Sequence, residues 1–431
     1  MLMTTPPAQY AGEGHAGKPV LFCVPNSQSG NLWRFCWEMD SLLGRCRASR
    51  FHEHPSPIMC LDSGAFALAR MTRNRARHKN CHEATSLASR VLLFMYRAAV
   101  FEEAGRPLAI KNLPDLPVGE GQLLVKVHRC GICGSDLHMT QGHGYTVDSG
   151  TVLGHEFTGE VVEVGKNETR FGKGDVIVAM PISGCGKCGP CLMGEPAYCD
   201  NISYLFGGYA EYALVGASTA STLPSRLSAA DGALTEPLAV ALHGMAMAGI
   251  EPGSRVLVQG AGPIGLAALF WARRFGAGVV DMIEGAPVRA EIARRMGADN
   301  VSPPQSQDEQ SFLGRDPAKL YDVVVECVGR PGMLSQSIGH VKRRGTIVSL
   351  GYCFMADTIV PAFAGGREAK LLFPQLYTMK EFRWALEVLN QGAVEPRAMV
   401  TQTVSLDGLP TAFDGLRGNP EQCKVIVDLS T

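Results

Sequence analysis

A chain of 431 residues with 46% hydrophobic and 19% charged side chains has the composition of a globular protein of roughly two or three domains. Its formal net charge of −1 offers no overall attraction to nucleic acid or to an anionic membrane surface, and no apolar run reaches the ~18 residues that span a bilayer. Glycine, at 49, is abundant, which suits the tight turns and nucleotide loops of α/β enzymes better than helical bundles.

Residues 1–94 are net +5, and their cysteines (Cys23, Cys36, Cys46, Cys60, Cys81) follow no recurring spacing. No helical or alternating period persists there, and no basic stretch precedes an apolar core as in a secretory signal. The segment is expected to be a disordered or spurious extension, with native folding beginning near Met95. Beyond that point, short runs rich in β-branched residues at 96–101, 122–128, 157–164 and 175–178 alternate with Pro- and Gly-containing turns. This pattern predicts a small β-barrel or sandwich. Asn167-Glu-Thr169 fits a glycosylation sequon but reads as a turn in so thiol-rich a chain.

Near residue 236 the texture changes. Apolar strands are predicted at 255–259, 279–284, 322–326 and 345–350, with helices at 263–275 and 286–296, a succession that makes a parallel sheet covered by helices. A helix at 380–391 and a closing apolar strand at 423–429 follow, the strand being expected to return to the first domain.

Of the fourteen cysteines, six fall in two tight groups, which points to metal and a reducing cytosol rather than to disulfides. Cys185-x2-Cys188-x2-Cys191-x7-Cys199 supplies four thiolates on a glycine-rich loop, a closed tetrahedral zinc site with a structural role. A different set occupies residues 130–156: Cys130-Gly-Ile-Cys133-Gly-Ser135-Asp136-Leu-His138, then Gly154-His155-Glu156. One thiol, one imidazole and one or two carboxylates make a zinc site with a position left open for substrate. Spacing alone does not separate Cys130 from Cys133, and CxxC redox chemistry fits the same pair.

Gly260-Ala-Gly262-Pro263-Ile264-Gly265 follows a predicted strand and opens a predicted helix, the setting that a dinucleotide fingerprint requires. Glu284 ends the next strand, where a carboxylate binds the adenosine ribose hydroxyls and repels a 2′-phosphate, so NAD is expected over NADP. Val328 and Gly351 stand at the ends of later strands and are assigned to the nicotinamide side.

The four-cysteine lobe and the 130–156 stretch together resemble the zinc-containing medium-chain alcohol and polyol dehydrogenases, over Met95 to the C-terminus. The resemblance implies a GroES-like β-barrel catalytic domain (95–240 and 375–431) and a Rossmann doubly wound coenzyme domain (241–374). It implies one catalytic and one structural zinc per chain, NAD, and a homodimer or homotetramer in the cytoplasm with no nucleic-acid or membrane partner. Cys133, rather than Cys130, is then the catalytic thiolate and His155 the second ligand. Either Glu156 or Glu236 completes the set. Glu236 replaces a cysteine of the alcohol dehydrogenase branch, and Pro237 is expected to start a helix and leave Glu236 extended before it. Ser135 and His138 become the proton relay, and Asp136 the carboxylate that fixes the ring of His155.

The expected reaction is reversible oxidation of a secondary alcohol or polyol to a ketone by hydride transfer to NAD. Threonine or butanediol dehydrogenase-like substrates are the alternative within the family. A non-catalytic NAD-binding zinc protein is the alternative of another class, and the joint retention of Cys133, Ser135, His155 and Glu236 argues against it.

Overall fold

The strand Gln122–Gly131 is the spine of the barrel, and a fault in its alternation turns Cys130 into the core. Leu123, Val125 and Val127 alternate inward, fully buried. The pairing with Glu156–Val164 slips between Leu124 and Val125, where the extra residue is on the partner strand, and again between Val127 and Arg129, where it is His128 of this strand. A bulge of this kind reverses the parity of the strand. Cys130 consequently joins the same buried cluster, and Cys133 lies just past the strand end, at the cap of the next helix.

The computed structural model describes residues 95–142, 145–304, 316–418 and 421–430, and before them the backbone of two short strand pairs, Phe22–Pro25 with Leu32–Phe35 and Leu61–Asp62 with Ala65–Phe66. The expectation of a disordered or spurious extension over 1–94 otherwise lies outside the described residues. The chain divides into two units, Met1–Ala84 and Thr85–Thr431.

Within the second unit, β1 (Met95–Val100) and β2 (Ala109–Pro114) form an antiparallel pair. The main barrel sheet has β3 (Gln122–Gly131) near its centre, followed after helix α1 (Gly134–Met139) by β4 (Glu156–Val164) and β5 (Val176–Ala179). Tyr212–Gly216 also pairs with β3. The predicted strands at 122–128, 157–164 and 175–178 thus form, each with shifted ends.

Helix α2 (Thr235–Met247) leads into the second sheet. It begins before Pro237, so Glu236 is helical and buried rather than extended. Proline is tolerated there because the N–H groups of a first helical turn have no partner within the helix. The second sheet comprises β6 (Arg255–Gln259), β7 (Val279–Ile283), β8 (Asn300–Ser302), β9 (Tyr321–Glu326), β10 (Val341–Ser349) and β11 (Lys370–Leu372). All its pairings are parallel, in the order β8-β7-β6-β9-β10-β11, the doubly wound arrangement. Val256, Leu257 and Val258 are all buried because helices cover both faces.

Helix α3 (Met379–Asn390) buries Phe382, Ala385, Leu386 and Leu389, a 3.6-residue stripe, against the cluster that contains α2. The last strands, β12 (Val400–Ser405) and β13 (Lys424–Asp428), pair with each other, and β13 pairs with β3 in the barrel sheet.

Candidate metal centre and coenzyme loop

Strand pairing assembles the metal donors. Gly131 at the end of β3 is opposite Glu156 at the start of β4 and opposite Ile426 of β13, so the segments carrying Cys133, His155–Glu156 and Lys424 converge at one end of the sheet. A Cβ on Gly131 would stand 2.1 Å from Glu156 Oε2, so only glycine permits this approach. Donor atoms of Cys133, His155 and Glu156 lie within 4.8 Å of one another, a set that fits a zinc ion.

Each ligand candidate is held by a neighbour. Cys133 stands at the N-cap of α1, and its Sγ accepts from Ser135 Oγ at 3.2 Å. His155 Nδ1 is 3.1 Å from Asp136 Oδ1, which turns Nε2 toward the site, and Asp136 Oδ2 accepts from Tyr209 Oη at 2.5 Å. Asp136 is fully buried. Burial works against its charge, but His155 and the hydrogen bonds from His155, Tyr209 and Cys133 hold its carboxyl below the usual range. Burial likewise opposes a charged His155, yet Asp136 and Cys133 raise it well above an ordinary histidine. Cys130 has no such support: burial first, then Asp136 and Glu156, push its thiol far up, so it stays protonated in the core.

The two glutamates differ in their company. Glu156 is paired with Lys424, whereas Glu236 accepts from Tyr377 Oη at 3.0 Å. Burial, the largest influence, and the charge of Glu156 push the Glu236 carboxyl up to about 7, against the attraction of His155. Glu236 is not in the 4.8 Å donor set but faces it from α2.

The four thiols of Cys185, Cys188, Cys191 and Cys199 also gather within 4.8 Å of one another. The backbone N–H groups of Cys185 and Asn201 point at Cys199 Sγ, at 3.3 and 3.4 Å, the arrangement that stabilises sulfur carrying negative charge. Hydrogen bonds from Lys187 and Cys188 bring the Cys185 thiol down to about 6. The lobe therefore fits a structural zinc.

On the coenzyme side, helix Pro263–Arg274 starts from Gly262, at which an added Cβ would meet open space. At Gly265 a Cβ would sit 1.9 Å from Gly260 O, so this position requires glycine for helix to pack on strand. Glu284 directly follows β7 beside the loop, its carboxylate accepting from Ala261 N and Ala286 N at 2.8 and 2.7 Å. The open cradle at a helix N-terminus fits a dinucleotide pyrophosphate. Gly329, the neighbour of Val328, comes against Gly351 just past the ends of β9 and β10, where Glu326 accepts from Val328 N, Gly329 N and Ser349 Oγ.

Residues 119–225 match the family model of the alcohol dehydrogenase GroES-like domain, and residues 263–391 match that of the zinc-binding dehydrogenase. A sorbitol dehydrogenase of Bacillus subtilis is 31% identical over 353 residues, 77% of this chain and 96% of that protein. An L-threonine 3-dehydrogenase of Streptomyces coelicolor is 33% identical over 77% of this chain and 99% of its own length. The chain belongs to the zinc-containing medium-chain alcohol and polyol dehydrogenases. Among solved structures, a zinc-binding dehydrogenase target from Sinorhizobium meliloti bound to NADP superposes with a TM-score of 0.69 at 33% identity, covering 78% of this chain and 99% of that one. The 2R,3R-butanediol dehydrogenase of Bacillus subtilis gives 0.67 at 28% identity, over 77% and 99%.

As a member of this family the protein is a zinc-dependent oxidoreductase that acts on alcohols and uses NAD(P). Among the described residues, no helix is long and apolar enough to cross a membrane. Ser135 Oγ lies 3.2 Å from Cys133 Sγ and 3.5 Å from His155 Nε2, at the donor set itself. His138 is one helical turn further, its ring 5.8 Å from that of Phe354, and no side-chain hydrogen bond joins it to Ser135 among the described residues. Phe206 lies 6.0 Å from the His155 ring and stacks on Tyr204, while Tyr352 packs edge-on against Phe354. Aromatic rings thus flank both histidines.

Sequence reasoning missed Lys424, Tyr377, Tyr209 and Glu326. Lys424 and Glu326 carried only a faint signal, a charge flanking three apolar residues, and in each strand a second charge, Asp428 or Asp322, flanks the same run on its other side. The two tyrosines carried none, since nothing local distinguishes a core tyrosine from one that holds a carboxylate.

Proposed function

We propose that the protein oxidises a polyol or other secondary alcohol to its ketone, with NAD preferred, at a zinc ion held by Cys133, His155 and a glutamate. The observation that carries this reading is the convergence of Cys133, His155 and Glu156 donors within 4.8 Å, with Ser135 Oγ against the first two. Lys424 already answers the charge of Glu156, so Glu236 is the carboxylate whose burial a cation relieves, and we assign it as the third ligand, with Glu156 in reserve. When bound, zinc supplies a lowered pKa to the substrate hydroxyl, and the nicotinamide supplies the hydride acceptor.

The chain's own residues do the rest. Asp136 fixes the ring of His155, and Ser135 Oγ takes the hydroxyl proton for transfer toward His138 and solvent. The Gly260–Gly265 loop holds the pyrophosphate, Glu284 the ribose, and Val328 and Gly351 flank the nicotinamide. Cys185, Cys188, Cys191 and Cys199 hold the structural ion.

Phe206, Tyr204, Tyr352 and Phe354 offer C–H faces and two phenol groups but no charge to pair with the ammonium and carboxylate of threonine, which favours a polyol. The domains are read as 95–240 with 375–431, and 241–374. Clustered thiols support cytoplasmic residence, and two or four subunits are expected from the family. The test is NADH formation on a panel of polyols, diols, hydroxy-amino acids and simple alcohols, for the wild type, Cys133→Ser and Cys130→Ser. Turnover of polyols that Cys133→Ser abolishes and Cys130→Ser retains supports the reading. The reverse pattern, or activity insensitive to zinc chelation, would overturn it in favour of thiol chemistry.

A further inference from the structure

Tyr377 is the side chain by which the cysteine lobe reaches Glu236. Its hydroxyl donates to Glu236 Oε1 at 3.0 Å, the residue is 1% exposed, and its ring stacks on Phe382 with an interplanar angle of 8°. Leu376, immediately before it, has φ 56°, a left-handed conformation that a leucine rarely adopts, and such outliers cluster where a neighbouring side chain must be aimed.

Two residues after Tyr377, Met379 opens helix α3 and donates its N–H to Gly194 O at 2.8 Å. Gly194 belongs to the lobe, between Cys191 and Cys199, and itself has φ 79°. Glu381, in the first turn of α3, pairs with His243 Nδ1 at 3.0 Å. His243 is two turns beyond Glu236 on α2, so the N-terminus of α3 grips one face of α2 at two points and the lobe at a third.

We infer that Tyr377 is a positioning residue for Glu236, and that the four-cysteine lobe, through Gly194 and Met379, sets where Tyr377 stands. The inference rests on the reading of Glu236 as a ligand of the catalytic metal. A glutamate side chain has three rotatable bonds, and tethering one carboxylate oxygen to a buried hydroxyl leaves the other presented in one direction. Without an ion the four cysteines lose the bonds that tie their loop together, so a lobe emptied of metal loosens the carbonyl that anchors α3. Retention of the ion at Cys133 and His155 thus depends on a contact made by the lobe.

The experiment follows loss of each zinc from the full-length protein under a chelator, counting metal against time and melting temperature alongside. Tyr377→Phe keeps the ring and removes the hydroxyl, and it should lose the catalytic zinc about tenfold faster than the wild type while the lobe zinc stays. Met379→Pro tests the second link. Proline at the first helical position removes only the N–H, and Thr378, at φ −86° and ψ 161°, already has the conformation that precedes proline. Met379→Ala controls for the lost side chain. Met379→Pro should shed the catalytic zinc about tenfold faster than Met379→Ala. Equal retention in Tyr377→Phe and wild type, or in the two Met379 variants, overturns the inference while the assigned metal centre stands. A wild type that holds the lobe zinc alone overturns both.

Discussion

Lys424 Nζ donates to both carboxylate oxygens of Glu156, at 2.8 and 2.6 Å, and to Ile132 O at 2.9 Å, using all three of its protons inside the protein. The two side chains are each 1% exposed and 268 residues apart in the chain. A buried pair of this kind contributes little net stability when intact but is costly to break, because the survivor is left charged without a partner. It also settles the charge of Glu156 before any metal arrives.

Lys424→Met is therefore expected to destabilise the protein by about 3–5 kcal/mol, and the double variant Lys424→Met/Glu156→Gln to recover much of that loss. Burial lowers the tendency of Lys424 to hold its proton, but Glu156 and Cys133 outweigh it and the pKa is raised. A raised value places the stabilising effect fully below the unfolded lysine pKa of about 10.4 and removes it as pH rises through the folded value. In urea denaturation the wild type should lose stability in strong alkali, as Lys424 gives up its proton and leaves Glu156 unpaired, and the double variant should not show that loss.

Glu236→Gln should weaken the catalytic zinc by at least about tenfold, and by more than Glu156→Gln does, measured by competition with a coloured chelator. Glu236 also predicts a pH effect in the zinc-free protein. Its carboxyl is pushed up to about 7, so its contribution is fully present below the unfolded value of about 4.3 and is lost as pH rises through about 7. Stripped of metal, the wild type should lose stability relative to Glu236→Gln between about pH 5 and 8.

Asp136→Asn leaves the size of the side chain unchanged but removes the charge that orients His155 and accepts from Tyr209. Zinc affinity should fall about 10- to 100-fold, with the lobe zinc unaffected. A variant with unchanged metal titration would show that the His155 ring is fixed by packing instead.

Glu284→Ser should lower the preference for NAD over NADP by about tenfold in the ratio of kcat/KM values, since a 2′-phosphate no longer meets a carboxylate. Gly265→Ala should abolish NADH binding, read by fluorescence, because its Cβ would fall 1.9 Å from Gly260 O.

Much of this was legible locally. The cysteine lobe, the glycine loop and the His155–Glu156 dipeptide are each contiguous or nearly so, and short-range patterns survive folding because the same few residues make the contacts. Strand Arg255–Gln259 forms where the apolar run stands, whereas the strand expected at 345–350 runs from Val341 to Ser349 and so begins four residues earlier. Pro237 misled because the rule that proline restricts the residue before it is weaker than tertiary packing: the buried face of α2 draws Thr235 and Glu236 into the helix.

The sequence by itself thus determined the chemistry on offer: thiolates in two spacings, an imidazole between glycine and glutamate, and a dinucleotide loop. Only the tertiary structure decided how the charges are shared. A slip in the register of β3 sends Cys130 into the core, β13 brings Lys424 back to Glu156, and α3 delivers Tyr377 to Glu236. Those pairings join residues distant in the chain, and burial makes each of them strong, so no reading of neighbours along the sequence could have assigned them.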